Sequence, residues 1–339
     1  MLCHKYFCMS DLFLVLFLSF LFATLSGKKF IQVMRKWQGK GQPIRDDGPE
    51  SHLRKVGTPT MGGLLIIGCM TVISMIVYST NIVLPLLFIM TTYGCIGFMD
   101  DYAKVKKQTV KGMKANLRLL IEFIIAGIVL WYINPTTTVR IPFINSALDI
   151  GYLYYLLAII AIVGSANATN LTDGLDGLLA GTSIIVLATF VFIIFMVVHN
   201  IYPIEKLDVK MHQEDIYSLM VFCTSFIGVL LGFLWYNSNP ARIFMGDVGS
   251  IAIGGFIGTT AVILKQELLL IVIGGVFVAE ALSVMIQVFS YRLRKKRVFL
   301  MAPIHHHFEK MKIAENTLVM RFWIVNFLLC ALGIWLIFA

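Results

Sequence analysis

Charged residues are scarce in this chain: they make up 14% of its 339 residues, whereas a soluble protein of this length carries about a quarter. Hydrophobic residues account for 58%, and the mean hydropathy is +0.83. The shortage of charge excludes a soluble globular protein. Since no soluble domain is appended, we treat residues 1–339 as a single membrane-embedded domain. The first apolar segment lacks a basic leading region and a small-residue cleavage site, so we expect no cleavable signal peptide.

Cysteine motifs are also lacking. The six cysteines show no metal-ligand spacing, so we assign them no metal site and predict no disulfide. Internal repeats and low-complexity tracts are not visible either, which argues against a solenoid or a disordered linker.

Long apolar segments are what the sequence has in abundance, and each is about long enough to cross a bilayer. Ten such segments run over residues 11–27, 61–80, 82–99, 118–133, 152–168, 174–199, 216–236, 248–264, 267–290 and 318–338. They predict an all-α fold, namely a polytopic integral membrane protein with about ten transmembrane helices.

Basic residues are unevenly placed along a chain whose formal net charge is +9. They concentrate in alternate connections, at 28–60, 100–118, 237–247 and 291–321. By the positive-inside rule these connections face the cytoplasm, and ten spans then put both termini on the extracytoplasmic side. Topology alone explains most of these basic residues, but it does not explain the polar residues among them.

One polar stretch, residues 170–178, reads Asn-Leu-Thr-Asp-Gly-Leu-Asp-Gly-Leu and separates two apolar segments. If a helix begins here, Asp173 and Asp176 share one face of it. However, Asn, Thr and Asp are also good helix caps, and acids suit a helix N-terminus. On this stretch alone, capping and chemistry are equally good explanations.

Two adjacent acids, Asp100 and Asp101, end the third segment. Acids at a helix C-terminus oppose the helix dipole, and they also repel each other. They therefore need a positive partner. Either a hard cation such as Mg²⁺, which prefers carboxylate oxygens, or lysines such as Lys104 and Lys111 would supply it. We favour a functional pair over two solvated acids.

Three further polar clusters also lie in or beside the connections between apolar segments. Lys55 and Thr60 flank a Gly-Thr-Pro turn and suit an anion, but on this segment alone a basic flank and a helix cap are the better explanation. Asp247, in an amide-rich stretch at 237–250, is either the cap of the eighth span or a metal ligand. The three histidines at 305–307 project in different directions, so they suit hydrogen bonds to phosphate or sugar better than one shared metal.

All of these clusters fall on the side that charge counting assigns to the cytoplasm. The outer connections, at 134–151 and 200–215, carry a few acids but no such clusters. Acids, amides, lysines and histidines inside a basic rim predict a site for an anionic, phosphate-rich substrate. The other reactant would come from the bilayer.

Together these motifs resemble the phospho-N-acetylmuramoyl-pentapeptide-transferase (MraY) family of the polyprenyl-phosphate N-acetylhexosamine-1-phosphate transferase superfamily. The matching pieces are residues 57–63, Asp100-Asp101, 170–178, 237–250 and 303–309. They occur in the family's order and cover essentially the whole chain. The Pro-Ile-His-His-His-Phe-Glu run at 303–309 is the most specific piece, and it resembles the muramoyl-pentapeptide branch.

The resemblance implies an activity. UDP-MurNAc-pentapeptide would react with undecaprenyl phosphate to give lipid I and UMP, the first membrane step of peptidoglycan synthesis, with Mg²⁺ as the cofactor. It also implies an active site on the cytoplasmic face and a homodimer in the bacterial inner membrane. No nucleic-acid partner is expected.

Residue roles are implied in the same way. The catalytic candidates are Asp100 (base on the lipid phosphate, or nucleophile), Asp101 (neighbour of metal or substrate), Asp247 (Mg²⁺ ligand) and His305. The phosphates would be held by Lys55, Thr60, Lys104 and Lys111. The nucleotide and metal site would be lined by Asn170, Asp173, Asp176 and Asn237. The sugar-phosphate side would be contacted by His305, His306 and His307.

Two other functions fit parts of the sequence. A transferase that uses UDP-GlcNAc shares the chemistry, but the histidine run argues against it. An ion-coupled transporter would place its acids near the bilayer midplane, whereas here the acids lie at span ends. Glu280, near the middle of the ninth span, is the exception, and we expect it to form a hydrogen bond to a neighbouring helix. A structural scaffold would leave the clustered acids unexplained.

Overall fold

The computed structural model describes residues 9–39, 41, 57–77, 80–109, 112–142, 147–199, 201 and 211–338. Two of the predicted phosphate-binding residues, Lys55 and Lys111, lie outside these residues. The remaining candidate site residues are all described.

Helices account for most of the described chain. They are α1 Met9–Gln38, α2 Gly63–Val77, α3 Val83–Lys107, α4 Ala115–Ile133, α5 Leu153–Thr172, α6 Leu178–Val198, α7 Gln213–Asn237, α8 Gly246–Ile263, α9 Glu267–Ile273, α10 Gly275–Arg294, α11 Ile304–Lys310 and α12 Glu315–Phe338. Between α4 and α5, strands β1 Thr138–Arg140 and β2 Ala147–Asp149 form an antiparallel hairpin that pairs Val139 with Leu148. Apart from this hairpin, the all-α prediction is confirmed.

Within the described residues, nine helices are long and apolar enough to cross a membrane, and α2 is a shorter apolar helix. These ten elements follow the ten predicted segments in order. The ninth segment, predicted as one span over 267–290, is divided into α9 and α10 at Gly274. Two consecutive glycines, Gly274 and Gly275, lower the helix propensity there. The sidedness of the termini stays a prediction.

Helix α1 is longer than its predicted apolar segment. Its 30 residues correspond to about 45 Å of helix, whereas a bilayer core is about 30 Å thick. The C-terminal part of α1 carries the basic residues Arg35 and Lys36 in its last turn. This part therefore extends past the hydrocarbon towards the side on which the polar clusters lie.

Helices α7 and α8 form the centre of the bundle. In their apolar stretches 89% and 94% of the residues are buried, against 17% in α1 and 22% in α12. Helix α8 packs against both α3 and α5. The start of α8 therefore meets the ends of α3 and α5, and these three termini carry most of the predicted site.

Glycines allow α8 to approach its neighbours closely. A Cβ atom at Gly63 would lie 2.1 Å from the backbone nitrogen of Gly249, and one at Gly97 would lie 2.3 Å from the carbonyl carbon of Asp247. Both contacts are with backbone atoms, which no side-chain rotation can move away. Only glycine permits these helix–helix distances.

Candidate active site

Three carboxylates meet where α3 ends and α8 begins. Asp100 and Asp101 lie in the last two turns of α3, and Asp247 lies in the first turn of α8. One oxygen atom from each of the three lies within 4.8 Å of the others. Asp100 and Asp101 are buried, while the Asp247 side chain retains 18% of its exposure. The cluster is therefore accessible from the Asp247 side.

Two cationic side chains approach these acids. The Lys104 ammonium lies 2.5 Å from Asp100 Oδ2 and donates a hydrogen bond to Asp247 Oδ2 at 2.8 Å. Arg118, at the start of α4, places Nη1 3.9 Å from the same Asp247 oxygen. The expectation that the acid pair needs a positive partner is met by Lys104 in this structure.

Backbone N–H and side-chain amide groups donate hydrogen bonds to most of the carboxylate oxygens that Lys104 does not contact. Asn170 Nδ2, near the end of α5, donates to Asp247 Oδ1 at 2.8 Å. The Val248 N–H donates to Asp101 Oδ2 at 3.2 Å, and the Met113 N–H donates to Asp100 Oδ1. All three acids are thus held in place by groups from other segments of the chain, namely α5, α8 and the connection before α4.

One carboxylate oxygen is left over. Asp101 Oδ1 is buried and has no hydrogen-bond partner among the described residues. A buried acceptor without a donor is costly, and three clustered carboxylates are a donor set suited to a hard divalent cation such as Mg²⁺. The residues present therefore fit such an ion.

The turn before α2 brings Thr60 to the same place. The Phe244 N–H donates to Pro59 O at 2.8 Å, and the Gly62 N–H donates to Phe244 O at 2.9 Å, so the two segments run side by side. A Cβ at Gly246 would lie 2.8 Å from Thr60 Oγ1 and 2.4 Å from an oxygen of Asp101. Thr60 therefore lies beside the acid cluster, and its buried hydroxyl has no partner among the described residues.

The stretch at 170–178 is not helical throughout. Helix α5 ends at Thr172 and α6 begins at Leu178, so Asp173 and Asp176 lie in the turn between them and share no helical face. The capping explanation fails as well, because the cap of α6 is Gly177, with φ +80° and no side-chain cap bond. Burial, followed by the negative charges of Asp247 and Asp176, raises the pKa of the Asp173 carboxyl to about 8.

Asp176 and Asn237 link the connection between α5 and α6 to the connection between α7 and α8. Asp176 Oδ2 accepts a hydrogen bond from the Ala241 N–H at 3.0 Å. Asn237 Oδ1 accepts one from the Gly177 N–H at 3.1 Å, and its amide donates to Ile243 O at 2.9 Å. Both side chains thus hold backbone in place. Their role in lining a nucleotide site stays a prediction.

The three histidines contact three different partners. His305 Nδ1 lies 3.0 Å from Glu280 Oε2, and His306 Nδ1 lies 2.6 Å from Glu309 Oε2. His307 Nδ1 accepts a hydrogen bond from the Leu300 N–H at 3.1 Å. The divergent orientation predicted for consecutive histidines is confirmed, and the expected bond from Glu280 to a neighbouring helix is that to His305 in α11.

Arg118 and Glu122 also belong to the site, although no sequence motif pointed to them. Arg118 Nη2 donates to Asn167 Oδ1 at 2.9 Å, and Asn167 Nδ2 donates to Glu122 Oε2 at 2.6 Å. Glu122 is fully buried and lies 3.4 Å from Arg118 Nε. The Arg and Glu are four residues apart on one helix, and this spacing is the signal that was available.

Comparisons with known proteins agree with the geometry. The model of glycosyl transferase family 4 matches residues 82–265, and phospho-N-acetylmuramoyl-pentapeptide-transferase signature 1 matches residues 55–67. The curated phospho-N-acetylmuramoyl-pentapeptide-transferases of Ruegeria sp. and Ruegeria pomeroyi are each 47% identical to this chain over 323 residues. Each alignment covers 93% of this chain and 89% of the relative.

Proposed function

The chain belongs to the phospho-N-acetylmuramoyl-pentapeptide-transferase family, and from this premise we propose that Asp100, Asp101 and Asp247 surround the point of transfer. The enzyme moves a phospho-MurNAc-pentapeptide group onto a polyprenyl phosphate and so makes lipid I in the bacterial inner membrane. The observation that carries the placement is the Lys104 ammonium between two carboxylates, beside a third with an unused oxygen.

The substrates are proposed to be UDP-MurNAc-pentapeptide and undecaprenyl phosphate. An oxygen of the lipid phosphate attacks the sugar-linked phosphorus, a new P–O bond forms, and the bond to UMP breaks. A phosphate monoester has a second pKa of about 6, so it is already nucleophilic at neutral pH. Phosphoryl transfer then depends mainly on positioning and on charge stabilisation.

Asp100 is proposed to position groups in this reaction and not to form a covalent intermediate. One of its oxygens contacts Lys104, and the other accepts the Met113 N–H. A buried carboxylate with both oxygens engaged is a poor nucleophile, because attack would break those contacts. Asp100 instead holds the Lys104 ammonium where it can meet phosphate oxygens.

Mg²⁺ is the proposed cofactor, held by Asp247 with Asp101 beside it. When bound, it would neutralise diphosphate charge and stabilise UMP as the leaving group. Asn170 keeps the Asp247 carboxylate oriented through its bond to Oδ1. Thr60, beside Asp101 and Gly246, is proposed to donate its hydroxyl to a phosphate oxygen.

A single domain and a homodimer complete the proposal. One hydrophobic core cluster includes residues from α1 to α12, such as Ala23, Phe226 and Leu336, which supports one domain. The homodimer is what the family resemblance implies, and native mass spectrometry of the detergent-purified protein tests it.

The test of function is turnover by the purified protein in detergent. Undecaprenyl phosphate and Mg²⁺ are supplied with either UDP-MurNAc-pentapeptide or UDP-GlcNAc, and UMP release and the lipid product are followed. We expect turnover with the muramoyl donor alone. Turnover with UDP-GlcNAc would instead support the related transferase, and no turnover with either donor in folded protein would revive the transporter.

The metal assignment is tested with Asp247→Ala. We expect it to abolish turnover, because the variant loses the principal Mg²⁺ ligand. The control is Glu214→Ala, an exposed acid at the start of α7, which is expected to keep wild-type activity. Near-normal Mg²⁺-dependent turnover by Asp247→Ala would reject the assignment.

A further inference from the structure

The last side chain of α1 forms two hydrogen bonds with residue 60, which lies beside the site. Gln38 Oε1 accepts a hydrogen bond from the Thr60 N–H at 2.9 Å, and Gln38 Nε2 donates one to Thr60 O at 3.0 Å. Since a backbone N–H can only donate and a carbonyl can only accept, both ends of the side-chain amide are matched to their partners. Gln38 and Thr60 are both buried, so little water can compete for these bonds.

The residue that Gln38 holds is followed by one with a strained backbone. Met61 has φ +65°, in the left-handed region that favours glycine. Its side chain is fully buried and belongs to one apolar cluster with Met34 of α1, Val105 of α3 and Val248 of α8. A strained conformation persists only where the surrounding structure fixes it. The two Gln38 bonds and the buried Met61 side chain supply that constraint.

The same turn is joined to the segment that leads into α8. The Gly62 N–H donates to Phe244 O and the Gly63 N–H donates to Met245 O, both at 2.9 Å. Asp247 follows two residues after Met245. A shift of the turn is therefore passed through a short length of backbone to the first turn of α8, which carries this acid.

We propose that Gln38 is a positioning residue for the acid cluster: its side chain fixes the turn at Thr60 and Met61, and the turn fixes Asp247 at the start of α8. In this role Gln38 contacts neither the cation nor a substrate. The proposal rests on the proposed function, because it concerns the same divalent-cation site. The alternative is that Gln38 only ties α1 to its neighbours, which predicts lower stability with an unchanged site.

Hydrogen exchange of the full-length protein tests the first step without reference to activity. The variant is Gln38→Met, which keeps the length of the side chain and removes both hydrogen-bonding groups. We expect the amides of Thr60, Gly62 and Gly63 all to exchange at least about tenfold faster, because loss of the two bonds loosens the whole turn. Faster exchange at Thr60 alone, or at none of the three, overturns the proposal.

Metal affinity and turnover test the second step. Loss of an outer partner of a metal ligand typically costs about 10–100-fold in metal affinity or activity. Gln38 acts through an intervening turn, so Gln38→Met should weaken Mn²⁺ binding by about tenfold, the low end of that range, and lower kcat by a similar factor. Electron paramagnetic resonance measures the affinity. Wild-type Mn²⁺ affinity in this variant overturns the proposal.

Two controls separate positioning from general destabilisation. Gln32→Met makes the same change at an exposed position of α1, and it should match the wild type in every measurement. Ile194→Ala truncates a buried side chain near the far end of α6, so it should lower the melting temperature without weakening Mn²⁺ binding. If Ile194→Ala weakens Mn²⁺ binding as much as Gln38→Met does, the effect is one of stability and the proposal is overturned.

A second variant keeps the test decisive. If Gln38→Met does not fold, as judged by thermal unfolding, Gln38→Asn takes its place, because it keeps the amide and shortens its reach so that both bonds cannot form. An active wild type combined with wild-type behaviour of the Gln38 variant rejects the role of Gln38 alone. A wild type that is inactive on the muramoyl donor rejects the proposed function, whereas hydrogen exchange and Mn²⁺ affinity still decide whether Gln38 positions the cluster.

Discussion

A methyl group added at Gly97 would separate the two helices that carry the acid cluster. The added Cβ would lie 2.3 Å from the carbonyl carbon and oxygen of Asp247 and 2.5 Å from the Val248 nitrogen. Ordinary van der Waals contact begins at 3.4 Å. Since every atom involved belongs to the backbone, α3 and α8 must move apart by about 1 Å.

The displacement acts directly on the site. Gly97 lies one turn before Asp100 on α3, so Asp100 and Asp101 move away from Asp247 together. A misplacement of about 1 Å costs roughly a hundredfold in rate. Overpacking of this kind also destabilises a protein by about 1–3 kcal/mol. We therefore expect Gly97→Ala to lower kcat by about a hundredfold and to lower the melting temperature.

The assay is UMP release under saturating substrates, with Mn²⁺ binding and thermal unfolding measured on the same preparations. The control is Gly164→Ala in α5, where an added Cβ meets no atom within 4 Å, so activity should stay at the wild-type level. Wild-type kcat and Mn²⁺ affinity in Gly97→Ala would refute the reasoning that helix approach at this glycine sets the spacing of the carboxylates.

Two further predictions concern charge at the site. Lys104→Met should tighten Mn²⁺ binding by about tenfold, because no ammonium then competes with the ion for Asp100 and Asp247. Electron paramagnetic resonance measures this affinity, and an unchanged affinity would contradict the competition. The same variant should also have lower turnover. Asp173 has a folded pKa of about 8 against 3.8 for the free side chain, so its protonated form stabilises the fold and this contribution is lost as pH rises through about 8. Metal-free wild-type protein should therefore lose stability between pH 4 and pH 8 relative to Asp173→Asn, and equal pH profiles of the melting temperature would contradict this.

The spans were predictable from the sequence because the bilayer imposes length and hydropathy on each helix separately. Ten apolar segments predicted ten apolar elements, and unfavourable charge at Asp100 and Asp101 predicted a cationic partner. The division at Gly274 was not predicted, since a run of apolar residues continues through it. The loss of helix propensity at two glycines is small compared with the hydropathy of a whole span.

The partners within the site were less predictable, because they are far apart in the chain. Lys104 and Asp247 are 143 residues apart, and Asp176 contacts the N–H of Ala241 at a separation of 65. Residue types alone indicated that Asp176 and Asn237 belonged near the site. They did not indicate that both side chains would be engaged by backbone groups, which depends on how two connections pack against each other.

The grouping of charge at the cluster bears on how the substrate would be held. The carboxyl groups of Asp100, Asp101 and Asp247 lie together, and Lys104 contacts two of them while Arg118 lies between Asp247 and the buried Glu122. Ionised carboxylates repel a diphosphate at short range, and a divalent cation held by them would reduce that repulsion. We therefore expect tight binding of the nucleotide sugar to need the divalent cation, and calorimetric titration with and without Mg²⁺ tests this.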